Sequence, residues 1–168
     1  MAESLANWFI QALGGMPPEL IIFIISMVPI LELRGGLIAA AVLGVPIVPA
    51  IVICLIGNMI PIPFILLLIT PIFDWLKRTK LLRPLVEKLE RKAMSKSDKI
   101  QKYEFVGLML FVGVPLPGTG AWTGALIASL LDIREKKAFL AICLGLLMAT
   151  VIMCVISYLI PYLVQNVF

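Results

Sequence analysis

The 168-residue sequence contains no histidine and only three cysteines. Without His there is no Ser-His or Cys-His nucleophile pair and no imidazole for a metal set. Cys54, Cys143 and Cys154 each stand in an apolar run with no CxxC pair. A disulfide framework is therefore not expected, and the three read as small packing residues. Nothing resembles a P-loop or a dinucleotide fingerprint. Charge is scarce as well: Asp, Glu, Lys and Arg make up 14% of the chain against 61% hydrophobic residues. The expectation is a protein that is not an enzyme and needs no cofactor or metal. The N-terminus has no basic region before its first apolar stretch and no small-residue cleavage site, so no cleaved signal peptide is expected.

What is present is long uncharged sequence. Residues 35–73, 105–131 and 138–168 carry no charge, and each exceeds the ~20 residues that cross a ~30 Å hydrocarbon core. This predicts an all-α integral membrane protein. Ten of the 14 Lys and Arg residues lie between Lys77 and Lys102, and three more are Arg134, Lys136 and Lys137. In a membrane protein such clustering is a topology signal. No folded soluble module accompanies the basic run, so no nucleic-acid partner is expected.

The fourteenth basic residue is Arg34, in Val28-Pro-Ile-Leu-Glu-Leu-Arg-Gly-Gly36. Residues 20–31 before this motif's charges are uncharged, and the next charge after Arg34 is Asp74. One charge at the centre of a bilayer costs about 2.5–3.5 kcal/mol on insertion scales. Glu32 and Arg34 therefore admit two readings. They form a polar site at membrane depth on broken backbone, or they lie at the membrane surface between two short apolar segments.

Taken in order, residues 1–18 suit an interfacial helix, with Leu5, Trp8, Phe9 and Leu13 on one face. Pro18 and Glu19 make a helix start. Residues 20–31 are too short to span, and so are residues 37–43 beyond the Glu-Leu-Arg-Gly-Gly break. The segment 50–72 is long enough, kinked by Pro61 and Pro63. Asn58, one turn before that kink, reads as interhelical glue or as a substrate contact. Between 73 and 102, Leu82, Leu85, Val86, Leu89 and Ala93 recur at helical spacing among charges. That is a basic amphipathic helix suited to an anionic leaflet. Residues 105–131 hold Val114-Pro-Leu-Pro-Gly-Thr-Gly120 in their middle, which splits them into two half-length helices. Residues 138–163 form a second full span.

The two halves share an order: short apolar piece, Pro/Gly break, short apolar piece, full span. Gly36-Leu-Ile-Ala-Ala40 aligns with Gly124-Ala-Leu-Ile-Ala128, and Ile53-Cys-Leu-Ile-Gly57 with Ile142-Cys-Leu-Gly-Leu146. Pro29 falls opposite Pro117, and Arg34 opposite Trp122. If each broken piece spanned, the basic segments would divide across the membrane. If each is a re-entrant hairpin, both basic segments share one side, which the positive-inside rule makes cytoplasmic. The second topology is preferred. The expectation is one membrane domain over 1–168. Repeat 1 covers 19–72, with a re-entrant hairpin at 20–43 and a span at 50–72. A cytoplasmic amphipathic segment follows at 73–102. An inverted repeat 2 covers 103–163, with a hairpin at 105–131 and a span at 138–163. Inverted repeats with broken helices are a transporter pattern. The chain is expected in the cell (inner) membrane, multi-pass, with 77–102 and 134–137 cytoplasmic and both termini outside.

Pro29-Ile-Leu-Glu-Leu-Arg-Gly-Gly36, Gly57-Asn-Met-Ile-Pro-Ile-Pro63 and Pro115-Leu-Pro-Gly-Thr-Gly-Ala-Trp-Thr-Gly-Ala125 resemble the motifs of the putative small multidrug export proteins. The resemblance covers nearly the whole chain. That family is grouped with the DedA/VTT superfamily, whose members are described as two opposed re-entrant hairpins plus spanning helices. Relatives in it are linked to moving phospholipids or a polyprenyl-phosphate carrier lipid, some with proton coupling. DedA proteins carry arginines in the second hairpin motif, where this chain has Pro117, Gly118, Gly120 and Trp122.

The resulting expectation is a proton- or ion-coupled exporter or flippase. It would move a lipophilic or lipid-phosphate substrate through a site between the two hairpins. Glu32 would carry a proton, or stay ionised to hold a cation. Arg34 would hold an anionic group bidentately. Half-helix N-termini near Gly35–Gly36 and near Ala121 would add donors. Pro29, Asn58, Pro115, Pro117, Gly118, Thr119 and Gly120 would complete the site, and Trp122 would either cap it or simply pack. Partners are the lipid bilayer and, because four elements enclose little volume, further copies of the chain. The alternative is a non-transporting membrane scaffold that recruits partners through the basic helix. A lipid-phosphate enzyme ranks last.

Overall fold

The computed structural model describes residues 8–79, 82–95, 98–116, 118–160 and 162. Leu5, Lys80, Lys96, Pro117 and both chain ends, which figure in the expectations above, lie outside them. Among the described residues there is no strand.

Helix α1 (Pro18–Met27) opens on a proline in its first turn with Glu19 beside it. Proline's missing N–H is one of the donors that a helix start leaves unpaired anyway. The helix stops because Val28, which precedes Pro29, is extended at ψ 129°. After a turn, α2 (Glu32–Val42) runs back alongside α1. Close packing needs small residues. A Cβ on Gly36 would stand 2.8 Å from the Cys54 sulfur and 3.3 Å from the Ile22 carbonyl oxygen, and one on Gly35 would meet Leu31 Cβ at 2.8 Å. The expected helix start near Gly35 is thus three residues too late. These glycines are interhelical contacts inside α2, and Glu32 and Arg34 lie in its first turn.

A turn with Gly44 at φ +70° leads into α3 (Ile47–Met59). Pro46 caps α3 and Pro49 stands in its first turn, so the helix starts earlier than the expected residue 50. The helical dihedrals of Ile60 join it to α4 (Pro61–Lys77), which passes Pro71 and Asp74 and so overruns the expected end at 72. Together they make a 31-residue apolar helix, Ile47–Lys77, about 46 Å long and more than a bilayer core. The amphipathic helix α5 (Arg83–Met94) follows. Its Val86 is buried while Leu85 and Leu89 stay exposed. The Arg83 hydrogen bond to Glu87 holds that surface carboxyl below the usual carboxylate range.

Helix α6 (Asp98–Gly113) is broken at Glu104, leaving the apolar piece Tyr103–Gly113. Helix α7 (Ala121–Leu130) is as short as α1. Helix α8 (Glu135–Cys154) continues through a π turn, Val155–Leu159, as a 25-residue apolar helix. It starts three residues before the expected 138. These two long apolar helices carry rows of exposed hydrophobics, such as Leu140, Leu144, Leu147 and Val151 on α8. Rows of this kind suit lipid and mark a membrane protein.

Local geometry recurs between the halves. After α2, the Val45 N–H bonds the Ala40 carbonyl at 2.9 Å. After α7, the Ile133 N–H bonds the Ala128 carbonyl at 2.9 Å. The left-handed residue of the turn is Gly44 in one and Asp132, at φ +52°, in the other. A Cβ on Gly57 would stand 2.8 Å from the Phe23 carbonyl oxygen, and one on Gly145 would stand 2.6 Å from that of Met109. The halves are also strapped together. Ser129 Oγ donates to the Leu66 carbonyl at 3.2 Å, and the Tyr158 hydroxyl donates to that of Val45 at 3.4 Å. Within the second half, Lys137 pairs with Glu104.

Candidate functional site

The break between α1 and α2 abuts the break between α6 and α7. Glu32 is buried with 5% exposure. Its Oε2 accepts the Ala121 N–H at 3.0 Å and its Oε1 accepts the Trp122 N–H at 3.1 Å. The first N–H groups of a helix have no intrahelical partner, and the helix dipole makes that end positive. A carboxylate placed there gains charge-assisted hydrogen bonds and up to ~2 kcal/mol from the dipole. Gly120 leaves the room for it. A Cβ on Gly120 would run into this carboxylate, and the residue's φ of +137° is one that side chains disfavour. Glu32 itself is held at φ +51°, and exposed Ile30 in the same turn at φ +82°. Such conformations in non-glycine residues cost about 1–3 kcal/mol each.

Arg34 does the converse. Its Nη1 donates to the Leu116 carbonyl at 2.8 Å. Its Nη2 reaches the Val112 and Val114 carbonyls and the Thr119 hydroxyl, each at 3.2 Å. These carbonyls are the loose ends of α6. Leu116, which would continue the helix, bonds back to Val114 instead. The Thr119 hydroxyl also lies 2.9 Å from both the Val114 and the Leu116 carbonyl, closing the loop. The acid thus sits at the positive end of α7 and the base at the negative end of α6. The two side chains do not pair with each other. Among the described residues the ion pairs are Lys77–Glu90, Arg83–Glu87 and Lys137–Glu104.

The other expected residues divide. Thr119 and Gly120 join Glu32 and Arg34 as contacts. Trp122 contributes its backbone N–H, and its indole N–H is buried without a partner among the described residues. Pro115 and Gly118 shape the loop between α6 and α7, with Gly118 at φ +77°. Pro29 lies on the exposed side of the first turn. Gly35 and Gly36 pack helices. Asn58 is wholly buried, and neither its Oδ1 nor its Nδ2 has a hydrogen-bond partner among the described residues. Sequence reasoning missed the carbonyls of Val112, Val114 and Leu116, since a backbone group carries no residue signature. It also missed a cleft of about 650 Å³ lined by Leu66, Thr70, Ser129, Asp132, Arg134 and Lys136. The charges at 132–136 were the signal for it. Among the described residues no three of Cys, Asp and Glu gather to hold a metal.

No curated protein and no solved structure matches the chain. The sequence profile of the family described as putative small multi-drug export protein matches residues 32–152. That stretch begins at Glu32, just past the first break, takes in the whole of the second and ends at Ile152 within the second long helix, so it covers most of the chain, and this chain belongs to the small multidrug export family.

Proposed function

We propose that the protein is a membrane transporter that exports or flips a lipophilic or phospholipid-like substrate, coupled to a proton or another ion. The observation that carries this reading is the meeting of Glu32 and Arg34 with the broken backbone of the second half. Charge and non-helical backbone at membrane depth are tolerated where they are buried in protein or line a pathway. Export is also what the family is named for.

In this reading α1–α2 and α6–α7 are opposed re-entrant hairpins whose tips touch near the midplane. The Lys137–Glu104 pair supports it, because it brings the second basic segment against the end of the first. Both then share one face, which the positive-inside rule makes cytoplasmic. The recurring turns at Val45 and Ile133, 88 positions apart, support an inverted repeat. Exposed Leu85 and Leu89 on α5 suit contact with the cytoplasmic leaflet. The working unit is a homo-oligomer in the inner membrane, since two hairpins and two spans enclose little volume.

The test is flux in reconstituted vesicles under a proton gradient, comparing lipophilic cations with lipid phosphates. Glu32→Gln and Arg34→Ala should each abolish flux. Wild-type flux in both variants would overturn the site.

A further inference from the structure

We propose that the cleft between α4 and the start of α8 holds a zwitterionic membrane amphiphile. Its ammonium and acid groups occupy a charged mouth, and one acyl chain lies in the apolar groove that leads away from it. The site is separate from the touching breaks and does not rest on the transport reading. It lies past the other end of α7, whose ten residues put it roughly 15 Å from Ala121.

The cavity is the first observation. The cleft of about 650 Å³ separates Leu66, Leu67 and Thr70 of α4 from residues 132–136 at the head of α8. That volume falls within the roughly 300–1,000 Å³ of small-molecule sites. A second hollow, of about 250 Å³, shares Leu66, Leu67, Glu135 and Lys136 with the cleft and adds Pro63 and Phe139. Pro63 stands one turn before Leu67 on α4, and Phe139 one turn past Glu135 on α8. The hollow therefore leads away from the mouth along the apolar stretches of both helices. Residues 105–131 on one side of the mouth and 138–168 on the other are uncharged. The mouth thus stands where the apolar phase gives way to water. Ser129 steadies it, since its Oγ donates to the Leu66 carbonyl and ties the end of α7 to α4. A polar mouth on an apolar groove has the build of a headgroup and a chain.

The charges in the mouth are the second observation. Asp132, Arg134, Glu135 and Lys136 alternate in sign and sum to zero, in a chain of formal net charge +4. Among the described residues none of the four makes an ion pair or a side-chain hydrogen bond. The turn itself does not need them. Its counterpart in the first half is Gly44-Val-Pro-Ile-Val48, which is uncharged and closes with the same 2.9 Å backbone bond. The positive-inside rule accounts for the two bases, and the start of α8 accounts for Glu135. Neither accounts for Asp132, which takes a φ of +52° where the first half uses glycine. A simple anion in this mouth would meet two carboxylates, and a simple cation two bases. A headgroup of both signs satisfies all four. Its ammonium lies against Asp132 and Glu135, and its acid group accepts from Arg134 and Lys136.

The experiment is binding to the purified full-length protein in maltoside micelles, read as dissociation constants by native mass spectrometry. Five probes share a palmitoyl or hexadecyl chain. Lysophosphatidylethanolamine and palmitoylcarnitine are the zwitterions. Lysophosphatidylglycerol is the anion, hexadecyltrimethylammonium the cation and monopalmitoylglycerol the neutral control. Glycerophosphoethanolamine supplies a headgroup without a chain. A zwitterion with a chain should bind about tenfold more tightly than any other probe. Asp132→Asn with Glu135→Gln should turn the preference to the anion, and Arg134→Gln with Lys136→Gln should turn it to the cation. Leu67→Trp, at an exposed position in the groove, should weaken the zwitterions with chains and leave the free headgroup unchanged. Binding of both zwitterions shows that the charge pattern suffices, and binding of lysophosphatidylethanolamine alone shows that the phosphodiester is required. Either supports the site. Equal binding of all five chain-bearing probes, tighter binding of a singly charged one, or a free headgroup that binds as well as the lipid would each overturn it. So would double variants that unfold cooperatively yet keep the wild-type order. The wild-type order decides even if a variant does not fold.

Discussion

The two breaks in the chain solve one problem in opposite ways. The first, at residues 28–31, is short, strained at Ile30, and followed at once by Glu32 and Arg34. The second, between Gly113 and Ala121, is longer and uncharged, and it offers helix ends. Side-chain charge on one side meets backbone partial charge on the other. The halves share an order and a turn geometry, yet at the contact they are complementary rather than alike. A charge buried among apolar helices need not find an opposite charge, because a helix end of the right sign suffices.

That contrast can be broken most severely at Arg34. Arg34→Ala strips the cap from three carbonyls and a hydroxyl and should lower stability by about 2–3 kcal/mol. This corresponds to a melting temperature lower by about 4–12 °C in detergent. Arg34→Lys should recover only part, since an ammonium cannot span four acceptors. Gly120→Ala comes next, at about 2 kcal/mol. It puts a methyl group against the Glu32 carboxylate at a φ that side chains disfavour. Combined with Glu32→Ala it should cost clearly less than the sum, a coupling that a double-mutant cycle reads directly. Glu32→Gln should cost about 1 kcal/mol, because one amide oxygen still accepts while the amide N–H₂ faces donors. The turn that recurs in both halves gives a smaller, reciprocal test. Asp132→Gly should stabilise by about 0.5–1 kcal/mol and Gly44→Asp should destabilise by a similar amount, both in thermal melts. At the far end of the scale, Glu87→Gln on the exposed face of α5 should leave the melting temperature unchanged, as surface ion pairs usually do.

Much of this was legible because lipid is an unforgiving solvent. Uncharged runs announce buried or lipid-facing helices, and Glu32 and Arg34 stand out because nothing around them can hide a charge. Pro115 and Gly118 likewise mark a break. The partners were not legible. Glu32 bonds N–H groups and Arg34 bonds carbonyls, and every residue has those, so no pattern singles out Ala121 or Val112 before the chain is folded. Glycine misled at Gly35 and Gly36, where breaking a helix and letting two helices touch leave the same signature. The register of α2 resolved which. The ends of the long helices were read too short, because Asp74 and Glu135 looked like boundaries. In the structure they lie within helix ends that run on past the apolar stretch.

The contacts that complete the touching breaks join residues 78 to 90 positions apart. On a ribosome adding about 5–20 residues per second, that separation is a wait of roughly 4–18 s. For that interval Glu32 and Arg34 have been made and their partners have not. The first half of the chain therefore enters the membrane holding a debt of two unmatched charges, and the translocation machinery, water or a holding chaperone must shelter them until α7 arrives.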